Sequence, residues 1–215
     1  MIRMVMIMTI PGFIEQDFQI FDIDGLEPRM NAIKQHIQPK FDIIGQHLSS
    51  FLTVQLGEPV STHIAKHARR TVNPPDETWV AWSTSKRGYK GLPHFQLGIR
   101  DNHLFIWFAL IYECDRKQPF ARRLREEFDR YWALIPDTYY FSQDHTRPDV
   151  IRKADLTDEQ AHKMLERLEK VKKAEFLCGR VIPRQEACRL SGDDLIKQIE
   201  STCETLNPLY RLAME

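Results

Sequence analysis

Between residues 63 and 90 the chain carries His63, Lys66, His67, Arg69, Arg70, Lys86, Arg87 and Lys90. Trp79, Trp82 and Tyr89 interleave with them, and His94 follows closely. Arg offers a planar fork to phosphate or carboxylate, and Lys a point charge. Aromatic faces beside such cations can stack a base or another planar group. This is the chemistry of an anion site with a pocket or stacking wall. A phosphorylated small molecule or nucleotide is the preferred ligand, ahead of a nucleic acid. The charge balance narrows the choice. The 215 residues hold 30 Lys and Arg against 30 Asp and Glu, which excludes a globally basic nucleic-acid binder. Residues 61–100 nevertheless carry seven basic and two acidic side chains, against four and seven in residues 1–60. The competing reading is a solvated basic face paired with acids such as Asp101 or Glu113, and both readings stay open.

Other chemistries find less support. His63 and His67 stand four apart, as zinc ligands on a helix do, but no glutamate follows the first and Lys66 would repel a cation. No metal and no cofactor is assigned. The run Lys86-Arg87-Gly88-Tyr89-Lys90-Gly91 is basic and Gly-punctuated, so its backbone N–H groups suit phosphate, yet it lacks the spacing of a nucleotide-binding P-loop. Its plainer role is a solvated hairpin loop. Thr71–Asp76, with Pro74-Pro75, reads as a rigid connector or as a preorganised rim of the basic block. No GxSxG occurs, and Cys114 at the end of an apolar strand reads as a core thiol. His94 and His103 flank a strand and are candidate bases, while Glu113 and Asp115 are a carboxylate pair or simple strand-end charges. A hydrolase or transferase using His63 or His67 beside the arginines is one alternative. A scaffold that dimerises through a spare apolar face is another.

The elements that must position these groups follow from periodicity. Residues 78–84, 95–100 and 103–112 read as strands, with Asp101-Asn102 as a hairpin turn between the last two. Leu104, Ile106, Phe108 and Leu110 point one way, and Phe105, Trp107, Ala109 and Ile111 the other, so this strand is central and covered on both faces. Further strands are expected at 138–142 and 175–182. Helices are expected from Asp24 to Pro39, from Pro39 to Gly57 and from Pro119 to Pro136. Two more begin at the Thr157–Gln160 capping box and at Ser191. The sum is an α+β fold, with a mostly antiparallel sheet of about five strands and helices packed on it. No linker divides residues 12–215, which read as one domain. Residues 1–11 read as a possible extension whose first seven residues need not be native. Its apolar run is too short to span a membrane and lacks a signal-peptide cleavage site. Four scattered cysteines suit a reducing cytoplasm.

The segments His63–Pro75, Thr78–Trp82 and Lys86–Lys90 resemble the YktB-like family of Gram-positive bacteria. So do Pro93–Gln96, His103–Glu113, Asp17-Phe18 with Phe21, and Gly25–Glu27 with Arg29-Met30. The likeness runs from about residue 12 to near the C-terminus. It implies an α+β fold and a soluble cytoplasmic protein, and brings no activity, substrate or catalytic residue with it.

Overall fold

The computed structural model describes residues 10–215. The reading of residues 1–7 as an extension lies outside the described residues. The expected hairpin is present: β3 (His94–Arg100) and β4 (His103–Leu110) pair antiparallel, with Ile99 opposite Leu104. Around it are β1 (Ser61–Ile64), β2 (Glu77–Ser83), β5 (Tyr140–Ser142), β6 (Ile151–Arg152) and β7 (Phe176–Pro183). The order across the sheet is β1-β2-β3-β4-β7-β5-β6, and every neighbouring pair is antiparallel. The sheet therefore has seven strands, not about five. The two additions are its edges. β1 is half-buried along its length and β6 is two exposed residues, so neither shows the alternation that marks a strand in a sequence.

All eight residues of β4 are buried. Leu104, Ile106, Phe108 and Leu110 join the main core, which is closed by the helices Gln38–Leu56, Lys117–Glu126, Asp158–Lys170 and Gly192–Met214. On the opposite face Phe105, Trp107, Ala109 and Ile111 form a smaller cluster with Leu177, flanked by Trp79, Tyr140, Val150 and Val181. The chain's own side chains cover that second apolar face: Phe105 and Trp107 are each 4% exposed.

Several helix ends follow their sequence signals. Thr157 Oγ1 accepts from Gln160 N at 3.2 Å, while Gln160 Oε1 accepts from Thr157 N at 2.9 Å. Ser191 Oγ accepts from Asp194 N at 3.1 Å and caps the helix Gly192–Met214. Pro39 does not end the first long helix. Leu26–Ala32 runs through a π turn at Ile33–Ile37 into the helix Gln38–Leu56, and Pro39 lands in the first turn of that segment, where its missing N–H is tolerated. The helix expected from Pro119 to Pro136 begins at Lys117 and breaks at Glu127, after which Phe128–Trp132 forms a separate short helix.

Candidate functional site

The basic block lies along one end of the second sheet face. β1 stops at Ile64, and the chain then turns at His67, a non-glycine residue with φ +49°. Such a conformation costs about 1–3 kcal/mol and persists only where neighbours hold it. Here the His67 ring stands edge-on to Trp79, with centroids 5.4 Å apart, and Nε2 lies 3.2 Å from Thr78 Oγ1. The turn leaves Lys66, Arg69 and Arg70 exposed. The connector that follows is tied down by buried Arg29, which donates to Pro75 O at 3.0 Å and to Ile23 O at 2.9 Å.

A pocket of about 230 Å³ opens here, lined by Lys66, His67, Arg69, Arg70, Trp79, Tyr89 and Lys90. Its floor is aromatic and fixed: Trp79 Nε1 donates to Tyr89 Oη at 2.7 Å. Tyr89 in turn packs edge-on against His94 at 4.8 Å and lies 5.6 Å from the His63 ring. Arg69 and Lys90 share one carboxylate, Glu113, at 3.8 and 3.7 Å. Arg70 donates to Asn73 O and Pro74 O at 3.3 and 3.0 Å. Burial, helped by the charges of Arg70 and Lys90, pulls the His67 pKa down to about 4, so its ring is neutral at physiological pH. Burial pushes the Tyr89 phenol up to about 12.

The remaining residues of the block lie elsewhere. Lys86 and Arg87 are exposed and do not line the pocket. His63 is held by Ser85 O, 2.8 Å from Nε2. His94 lies beneath Tyr89, fully buried, and burial pulls its pKa to about 4. Trp82 faces the opposite way, into the main core, where Nε1 donates to Gly45 O at 3.1 Å. The β-strand period of two decides this: Trp79 and Ala81 face the second side, Val80 and Trp82 the helices.

Across Trp79 stands a group that the block does not contain. Glu175, 3% exposed, accepts from Tyr112 N at 3.0 Å, from His145 N at 2.7 Å and from His145 Nδ1 at 2.8 Å. The His145 ring stacks on Tyr112 and meets Trp79 edge-on, each at 6.3 Å between centroids. Buried Lys117 holds the approach to Glu175 by donating to Lys172 O and Ala174 O, both at 2.7 Å. A hollow of about 330 Å³ lies beside this group, bounded by Tyr112, Asp144, His145, Thr146, Lys173 and Glu175. Donor atoms of Asp144, His145 and Glu175 fall within 4.8 Å of one another. Within this group, His145 Nδ1 bonds to Glu175, and Asp144 Oδ1 accepts from Thr146 N and Oγ1. Glu175 and His145 thus form a hydrogen-bonded clasp. No sequence spacing marks the clasp, because His145 and Tyr112 lie 30 and 63 residues from Glu175.

No helix among the described residues is long and apolar enough to cross a membrane. A family model described as a domain of unknown function, DUF1054, matches residues 13–210. A UPF0637 protein of Bacillus cytotoxicus is 49% identical over 205 residues, covering 95% of this chain and 99% of that protein. One from Bacillus velezensis is 40% identical over 208 residues, covering 97% and 99%. A third, from Bacillus anthracis, is 46% identical over 205 residues, covering 95% and 99%. With nearly the whole length matched on both sides, the chain belongs to the DUF1054 (UPF0637) family, the YktB-like proteins of Gram-positive bacteria.

Proposed function

We propose that this is a cytosolic protein that binds a small phosphate-bearing molecule, a nucleotide or a sugar phosphate, in the pocket over Trp79 and Tyr89. One observation carries the reading: Lys66, Arg69, Arg70 and Lys90 surround a fixed aromatic floor, and Glu113 is the one carboxylate paired with them among the described residues. Guanidinium and ammonium groups take the phosphate, and the ring faces take the rest of the ligand. Four cations border one hollow of about 230 Å³, a size that favours a small ligand over a polymer. A polymer would bind with an affinity falling steeply with salt, through counterion release.

The test is a thermal-shift screen at low salt against nucleotides, sugar phosphates and short DNA and RNA. A ligand at a hundred times its Kd adds roughly 2.7 kcal/mol of stability. The folded triple variant Lys66→Ala, Arg69→Ala, Arg70→Ala loses the shift. An unchanged shift in that variant rejects the pocket.

A further inference from the structure

We propose that His145, which borders the neighbouring hollow, extends the pocket as a charged hydrogen-bond donor: clasped by Glu175, its imidazolium offers Nε2–H to an oxygen of a tetrahedral dianion whose other oxygens rest on Arg69 and Lys90. The inference rests on the anion-binding reading and deepens it. It adds a residue to the site and makes a phosphate monoester dianion the preferred ligand.

Three geometrical facts support it. First, Glu175 fixes which nitrogen is free. Its carboxylate accepts only, so Nδ1, at 2.8 Å, is the protonated nitrogen toward it. Nε2 then points away from the clasp, and no hydrogen bond to it occurs among the described residues. Second, both histidine rings stand edge-on to the same indole, Trp79, His67 at 5.4 Å and His145 at 6.3 Å between centroids. Third, Glu113 links the two halves. It pairs with Arg69 and Lys90 and accepts from Tyr112 Oη at 3.0 Å, and the Tyr112 ring stacks on His145. A carboxylate therefore already occupies the cation pair that a phosphate would take.

The charged surroundings agree. Burial by itself lowers the His145 pKa, but the hydrogen bond and charge of Glu175, with Glu77 behind it, outweigh burial and hold it above the ordinary histidine value. Lys90 faces the same ring and opposes this. Asp144 and Thr146 on its own loop, Lys173 beside Glu175, and His94 from β3 complete the set around it. His94 and His67 stay neutral down to about pH 4. Glu77 is pushed by burial to about 7 against the pull of Arg100, so it ionises in the same range and needs its own control.

Sulfate is the probe, because it carries no proton across this range and reports only on the protein. Calorimetric titration of the full chain with sulfate at pH 5.5 and 8.5 should show tighter binding at the lower pH by about tenfold, the worth of one hydrogen bond to a charged group. His145→Gln should bind weakly and equally at both. Glu77→Gln should keep tighter binding at the lower pH, with the transition moved only slightly down because Glu77 adds less than Glu175 to the hold on His145. Glu175→Gln should move the transition to lower pH while binding at pH 5 survives, a result that a merely structural Glu175 would not give. Equal wild-type affinity at both pH values overturns the inference, as does a His145→Gln variant that keeps the pH dependence. The pocket reading survives either result, provided sulfate binding is lost in the triple cation variant. No sulfate or phosphate binding at either pH overturns both.

Discussion

His94 Nε2 lies 2.7 Å from the side-chain nitrogen of Gln96, two residues along the same face of β3. The amide donates, so the imidazole accepts at Nε2 and carries its proton on Nδ1, which reaches Leu92 O at 2.8 Å. Both nitrogens are satisfied in the neutral ring, and a second proton, on Nε2, would break the bond from Gln96 while leaving the one to Leu92 O.

The pH dependence of stability follows with a definite sign. The folded His94 pKa is about 4, against an ordinary 6.5. Above 6.5 both states hold a neutral ring and stability is full. As pH falls from 6.5 toward 4 the unfolded chain takes a proton that the folded chain refuses, and about 3 kcal/mol is lost. Urea titrations at pH 7 and 4.5 should show the loss. His94→Asn should show a smaller one, and an equal loss in that variant would assign the acid limb to His67 and His103, which shift the same way.

Glu113→Gln removes the carboxylate held by Arg69 and Lys90. The pair is partly exposed, so stability should change by less than ~1 kcal/mol. Phosphate affinity at low salt should rise about threefold as a competing charge is lost. Weaker phosphate binding by calorimetry would give Glu113 a role in holding the cations for the ligand.

Tyr89→Phe strands the indole N–H of Trp79, which has Tyr89 Oη as its acceptor. The expected cost is about 1 kcal/mol in chemical denaturation. His67 and His145 stand edge-on to Trp79 and Tyr89 accepts from it, so the loss should also appear as a changed tryptophan emission maximum. Unchanged stability and emission would show that water replaces the phenol without loss.

Gly98→Ala should be the most damaging of these changes. A Cβ at 98 would fall 1.9 Å from Cζ of Phe105, whose ring lies flat over the glycine from the opposite strand. Destabilisation beyond about 2 kcal/mol is expected from overpacking, and the double variant with Phe105→Leu should recover part of it. Thermal unfolding of the two variants gives the comparison.

The central part of this fold was legible because period-two alternation and the two-residue turn mark β3 and β4 without reference to anything distant. The pocket was legible in composition: cations and aromatics fall within 28 residues of chain, and seven of the twelve residues picked out for the site line one hollow. Trp82 shows the limit of composition, since one step along β2 carries it to the far face of the sheet. The clasp was illegible for a different reason. Glu175 and His145 belong to separate polar stretches with no shared spacing, and only the placing of β7 beside β4 and β5 brings them together. The edge strands β1 and β6 were missed because strands with open sides need no apolar alternation.

The sheet order carries a consequence for synthesis. β1 to β4 leave the ribosome as one contiguous meander, yet the free side of β4 is paired by β7, which begins at Phe176. Roughly 65 residues must be made while that apolar edge stands open, and an unpaired apolar edge invites other chains to pair with it. The nascent chain is thus most prone to aggregate in mid-translation, and a chaperone acting on it would have to shield β4 until β7 arrives.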